Sequence, residues 1–156
     1  MSQTEMNMHK PRVLFLCTGN SARSQMAEAF LRAYANEHFE IHSAGIEPKG
    51  YILPEVITVM KERGLDLSGQ TSKDVREYLG KKHFSYVTTV CADAEENCPT
   101  VFLNMGIHQH WVFDDPAKFQ GNDAEKMEFT RKVRDQIDLR IRQWLEAQNI
   151  QPAAAR

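Results

Sequence analysis

Apolar and polar positions change rhythm several times along this chain, and each change predicts an element. Val13-Leu14-Phe15-Leu16 is an unbroken apolar run, expected of a buried strand over Arg12 to Leu16. From about Ser24 to Ala35 the rhythm turns helical, with Met26, Ala27, Phe30, Leu31 and Tyr34 on one face. Glu40 to Ala44 reads as a short strand ending at Gly45. Pro48, Gly50 and Pro54 punctuate a loop, and Pro54 suits the first turn of a helix that carries Val56, Ile57, Val59 and Met60 and stops near Gly64. A short helix is expected from Ser72 to Leu79 with Ser72 as its cap. Ser85 to Val90 is β-branched and aromatic, hence a strand, and Ile107 to Phe113 is a weaker one. In the last helix Val133, Ile137, Ile141 and Leu145 recur every fourth residue, and Asn122 or Asp123 can cap it.

Strands alternating with helices predict an α/β fold: an open, mostly parallel four-stranded sheet with helices on both faces. One domain over residues 11–147 is expected, with flexible ends at 1–10 and 148–156. Open parallel sheets bind ligands beyond the carboxyl ends of their strands. Cys17, Cys91 and Asp115 each follow a predicted strand, so they are expected along one edge.

Composition narrows the function classes. A net charge of −2 supplies no basic excess for nucleic acid, so none is expected as a partner. No apolar run reaches the ~18 residues of a membrane span, and Met1 to Lys10 lacks a signal-peptide core, so a cytoplasmic location is expected, away from membranes. A monomer is expected. Three cysteines are odd in number and too few for a secreted disulfide framework. Catalytic, redox or metal-binding roles remain.

The segment Cys17-Thr18-Gly19-Asn20-Ser21-Ala22-Arg23-Ser24 joins the first strand to the first helix. Its small residues let backbone N–H groups from Thr18 to Arg23 curl around an oxyanion, at a helix N-terminus that already favours negative charge. Arg23 adds a bidentate, permanently charged partner. The same field is expected to ionise Cys17, with Ser24 or Ser21 donating a hydroxyl to the thiolate. A free cysteine at a strand end is often just a small buried residue, but the surrounding Gly, Asn and Arg-Ser favour a nucleophile. Attack on an oxyanion expels oxygen, which needs a proton; Asp115, before Pro116, is the candidate acid, with Asp114 the weaker alternative. Asp-Asp-Pro is also ordinary turn chemistry.

Residues 13 to 28, Val-Leu-Phe-Leu-Cys-Thr-Gly-Asn-Ser-Ala-Arg-Ser-Gln-Met-Ala-Glu, resemble the thioredoxin-coupled arsenate reductases, which share a fold with the low-molecular-weight protein tyrosine phosphatases. The likeness continues through Ser43-Ala-Gly-Ile-Glu47, through Cys91-Ala-Asp-Ala-Glu-Glu-Asn-Cys98-Pro99 and through His110-Trp-Val-Phe-Asp-Asp-Pro116. It implies arsenate as substrate, thioredoxin as electron donor with its reductase upstream, and no tightly bound cofactor. It also implies a relay in which Cys17 attacks arsenate, Cys91 attacks Cys17, and Cys98 attacks Cys91. A phosphatase needs only Cys17, Arg23 and Asp115, and a non-enzymatic thiol redox sensor or arsenite-binding protein gives Arg23 and Asp115 no task.

Three further expectations follow. Residues 92 to 97 look helical; seven helical steps span ~10 Å, beyond the ~7 Å limit for a disulfide, so the Cys91–Cys98 segment must rearrange to oxidise. No metal is expected, since zinc sites favour closer cysteine spacing and His108 and His110 share a face by strand period. Some members of the resembling family bind potassium; Asn20, Glu28 and Ser43 match three of its ligands, but Lys73 stands at the fourth, so potassium is expected to be dispensable. Ala22 replaces a second loop cysteine found in many members, and Ala117 stands where the phosphatases usually carry an aromatic residue.

Overall fold

A computed structural model describes residues 10–78, 80–91 and 106–153. Among these residues the strands form one open parallel sheet in the order β2-β1-β3-β4, made of β1 (Arg12–Cys17), β2 (Glu40–Gly45), β3 (Tyr86–Thr89) and β4 (Ile107–His110). The described helices are α1 (Arg23–Ala35), α2 (Pro54–Glu62) and α3 (Asp123–Ala147). The chain leaves β1 to one side for β2, then crosses back to β3 on the other. That reversal opens a crevice beyond the strand ends, beside β1.

Central strand β1 is apolar without alternation because both its faces are covered: Val13, Leu14, Phe15 and Leu16 are fully buried. Each large aliphatic or aromatic side chain so buried contributes about 1.5–3 kcal/mol. On one face Phe15 meets Trp111, which meets Trp144 of α3, while Tyr86 and Phe39 also pack on Trp144. Ser43 bonds Glu28 of α1 from the same face. On the other face His42 packs against Tyr78 and Phe84. The fourfold repeat of α3 is wholly internal, and a reciprocal Asn122–Glu125 capping box starts that helix.

Two local expectations need correction. The segment from Ser72 is a single 3-10 turn, Val75–Glu77, capped by Asp74 rather than Ser72. Asp74 and Glu77 close the capping box, whereas the Ser72 hydroxyl is spent on the Gly19 carbonyl. The fourth strand ends at His110, not Phe113. Trp111 N–H still bonds Thr89, but the Phe113 carbonyl turns away to accept from Arg23. In α2, Val56, Val59 and Met60 are buried, as i, i+3 and i+4 should be, while Ile57 falls off that face and is 44% exposed.

Candidate active site

The loop after β1 is shaped from outside. Each carbonyl from Cys17 to Ser21 points outward onto a donor: those of Cys17, Thr18, Gly19 and Ser21 accept the N–H groups of Ile46, Glu47, Lys49 and Leu53 at 2.8–3.0 Å. The Asn20 carbonyl accepts from the Gln25 side chain at 3.0 Å. With its carbonyls held outward, the loop is left to present N–H groups to its concave side, the arrangement that binds oxyanions. Asn20 takes a left-handed φ of 47°, where asparagine is tolerated better than most residues. Gly45 lets β2 approach: a Cβ there would lie 2.7 Å from the Thr18 carbonyl oxygen.

Cys17 Sγ sits at the N-terminal end of α1, 2.8 Å from Ser24 Oγ and accepting the Asn20 N–H at 3.2 Å. Asn20 Nδ2 donates to Ser24 Oγ at 2.8 Å, which leaves the serine hydrogen free to point at the sulfur. Burial pushes the Cys17 thiol up; the Ser24 hydroxyl and the Arg23 guanidinium pull it down, and burial is the largest of these influences. The expectation of easy ionisation counted only the attractive partners and omitted desolvation.

Arg23 is nearly buried. One Nη donates to the Phe113 carbonyl at 3.1 Å and the other lies 3.2 Å from Asp115 Oδ2. Its Nε is buried with no hydrogen-bond partner among the described residues. A buried guanidinium N–H without an acceptor is costly, and it is the feature an incoming oxyanion would relieve. Asp115 Oδ1 accepts the Ala117 N–H at 2.9 Å, so this aspartate caps the short turn Pro116–Lys118 and stands over the loop. Cys91, just past β3, is buried, with its Sγ 3.4 Å from Thr18 Oγ1.

These groups enclose a cavity of about 520 Å³, lined by Cys17, Thr18, Gly19, Ser21, Ala22, Arg23, Cys91, Asp114 and Asp115. Asn20 and Ser24 stand behind the wall, fully buried, and act through their bonds to the sulfur and to each other. Cys98 and the segment expected to be helical lie outside the described residues. The sequence reading missed Glu47, Lys49, Val112, Phe113 and Lys118, which with Ala117 complete the cavity. Lys49 was legible only in part: a lysine shortly after Gly45 gives no hint that its stem will lie over Gly19, 3.2 Å from where a Cβ would be.

The potassium-ligand matches also converge. Ser43 Oγ accepts from Asn20 Nδ2 at 3.0 Å and donates to Glu28 Oε1 at 2.5 Å. Lys73 Nζ lies 4.0 Å from that same Glu28 oxygen and donates to the Thr71 carbonyl at 2.6 Å. Among the described residues no three His, Cys, Asp or Glu side chains gather as metal ligands, and no helix is long and apolar enough to cross a membrane.

Comparison with known proteins agrees with this geometry. The low molecular weight phosphotyrosine protein phosphatase family model matches residues 12–154. An arsenate reductase of Halalkalibacterium halodurans is 44% identical over 139 residues, covering 89% of this chain and 98% of its own length. A solved arsenate reductase in the phosphate-binding state superposes with a TM-score of 0.72 at 29% identity, over 88% of this chain and 98% of that one. A thioredoxin-dependent arsenate reductase of Corynebacterium glutamicum superposes with a TM-score of 0.64 at 28% identity, over 88% of this chain and 61% of that one. The chain belongs to the low molecular weight phosphotyrosine protein phosphatase family, among whose members it is similar to arsenate reductases.

Proposed function

We propose that this protein reduces arsenate to arsenite by a thiol relay that thioredoxin regenerates. Arsenate enters the loop and meets its N–H groups and Arg23. The Cys17 thiolate attacks arsenic while Asp115 gives its proton to the departing oxygen, so a hydroxide equivalent leaves as water and a Cys17–arsenic(V) bond forms. The Cys91 thiolate then attacks the Cys17 sulfur. The sulfur–arsenic bond pair stays on arsenic, which leaves as trivalent arsenite, and the two thiols together lose two electrons as a Cys17–Cys91 disulfide. Cys98 attacks Cys91 in turn, releasing the Cys17 thiolate and forming Cys91–Cys98, which the thioredoxin dithiol reduces.

The observation that carries this reading is the second thiol. Cys91 lines the same cavity as Cys17 and lies within reach of Thr18 in the oxyanion loop. Hydrolysis of a phosphomonoester has no use for it. Assay of arsenate-dependent NADPH oxidation with thioredoxin and its reductase tests the reading. Turnover that is lost in Cys91→Ser and in Cys98→Ser is expected; wild-type protein that makes no arsenite, yet hydrolyses an aryl phosphate, would replace arsenate reduction by phosphatase activity.

Lys73 supports a second part of the proposal: its ammonium stands in for potassium beside Asn20, Ser43 and Glu28. Burial pushes Lys73 down while Glu28 pulls it back up, so the lysine faces one Glu28 oxygen while Arg32 pairs with the other. Equal activity in potassium and in sodium at constant ionic strength is the expected result. Strong activation by potassium would refute it.

A further inference from the structure

The bond to the Asn20 carbonyl differs from the other four. Ile46, Glu47, Lys49 and Leu53 hold their carbonyls with backbone N–H groups, whereas Asn20 is held by the side-chain amide of Gln25. Gln25 is fully buried and lies outside the cavity lining. Its Nε2 also donates to the Thr71 carbonyl at 2.9 Å, and its Oε1 accepts from Gln70 Nε2 at 2.8 Å. Gln70 Oε1 accepts from Arg32 Nη1 at 3.3 Å, and that same Nη1 pairs with Glu28 Oε2 at 2.7 Å. Glu28 accepts from Ser43, and Ser43 accepts from Asn20 Nδ2.

The bonds therefore close a ring: Asn20, Gln25, Gln70, Arg32, Glu28, Ser43 and back to Asn20. The ring grips Asn20 by its carbonyl on one side and its amide on the other. Asn20 is the loop residue with left-handed φ, the conformation that needs outside support. Turning its carbonyl outward also turns the next N–H, that of Ser21, toward the cavity, because the two belong to one planar peptide.

We infer that Gln25, backed by Gln70 and Arg32, is a positioning residue for the oxyanion loop: it holds the Asn20–Ser21 peptide with its N–H facing the anion. The anion's affinity thus depends on a donor hydrogen on the far side of that peptide. An amide supplies this hydrogen at every pH, with a second for Thr71; a protonated carboxyl has only one hydrogen to give. A carboxylate has none, and it repels the carbonyl it faces.

Gln25→Glu tests this through a pH profile. The probe is inorganic phosphate, read as protection of Cys17 from iodoacetamide in a Cys91→Ser, Cys98→Ser background, with the parent measured at each pH. Burial among carbonyl oxygens favours the neutral carboxyl, so the variant should come closest to its parent near pH 6, where its single hydroxyl hydrogen serves the Asn20 or the Thr71 carbonyl but not both. As pH rises and the carboxyl ionises, phosphate should protect progressively less, reaching about tenfold weaker binding, the scale of one lost buried hydrogen bond. A ratio to the parent that stays flat across pH would overturn the inference, whatever happens to stability. Gln70→Met gives a second reading that leaves Gln25 in place: about threefold weaker protection is expected, and unchanged protection would overturn the ring's role.

Discussion

Ser24→Ala perturbs the nucleophile without touching the cavity. Ser24 is fully buried behind the loop, and its hydroxyl reaches Cys17 Sγ at 2.8 Å. Because Asn20 Nδ2 donates to that oxygen, the hydroxyl hydrogen is available to an ionised sulfur. A hydrogen bond to an ionised group contributes about 1.5–3 kcal/mol, and one pKa unit corresponds to about 1.4 kcal/mol. The thiol should therefore be pushed up further in the variant, on top of the upward push of burial. At a fixed pH below the pKa, the thiolate population falls by about 10- to 100-fold, but a more basic thiolate is more nucleophilic, with a Brønsted slope of about 0.4–0.5. The two effects leave a net loss of roughly three- to tenfold in attack rate. The assay is the pH dependence of Cys17 alkylation by iodoacetamide with the other two cysteines replaced by serine. An upward shift of the midpoint together with a several-fold slower rate at pH 7 is expected. A midpoint that does not move would refute the assignment of Ser24 as the thiolate's donor.

Three other outcomes follow from the geometry. Asp115→Asn should cut kcat for arsenate by about 10²–10⁴-fold while phosphate still protects Cys17; retained kcat would transfer the acid role to Asp114, which lines the same cavity. Gly45→Ala places a methyl group 2.7 Å from the Thr18 carbonyl oxygen; at about 1–3 kcal/mol for such overpacking, thermal unfolding should fall by several degrees and phosphate should bind more weakly, and full phosphate affinity would show that the loop is not braced there. Glu40 is pushed up by burial but pulled down further by hydrogen bonds from His42 and Arg12, to about 2. A depressed carboxyl stabilises the fold above its ordinary value near 4.5, and the contribution is lost as pH falls through about 2; the stability gap between wild type and Glu40→Gln should close across that window, modestly because Glu40 is over a third exposed.

The sheet and its long helices were legible because each is written in a periodic pattern that burial enforces. Unbroken hydrophobicity from Val13 to Leu16 and the fourfold repeat of α3 leave few other solutions. The cysteine loop was legible as chemistry because small residues, a thiol and an arginine have little reason to cluster otherwise. Its frame was not. Gln25 and Gln70 are polar residues whose burial is decided by partners 45 positions apart, and no local rhythm records that. Ser72 misled for a related reason: a serine before a polar stretch reads as a cap, but its hydroxyl was recruited by Gly19. The thiol's ionisation was over-read because a sequence names attractive neighbours and is silent about lost water.

Adjacent strands β1 and β3 pair in register from Val13↔Tyr86 to Leu16↔Thr89, and Val90 N–H then bonds the Leu16 carbonyl. The separation of Cys17 from Cys91 is therefore inherited from a ladder of main-chain bonds rather than tuned by loops. Such a ladder moves only in whole steps, and a slip of one residue turns every side chain to the opposite face. A single residue inserted into β3 would thus part the two sulfurs with every chemical group still present. The spacing of the two thiols is, in that sense, a property of the backbone.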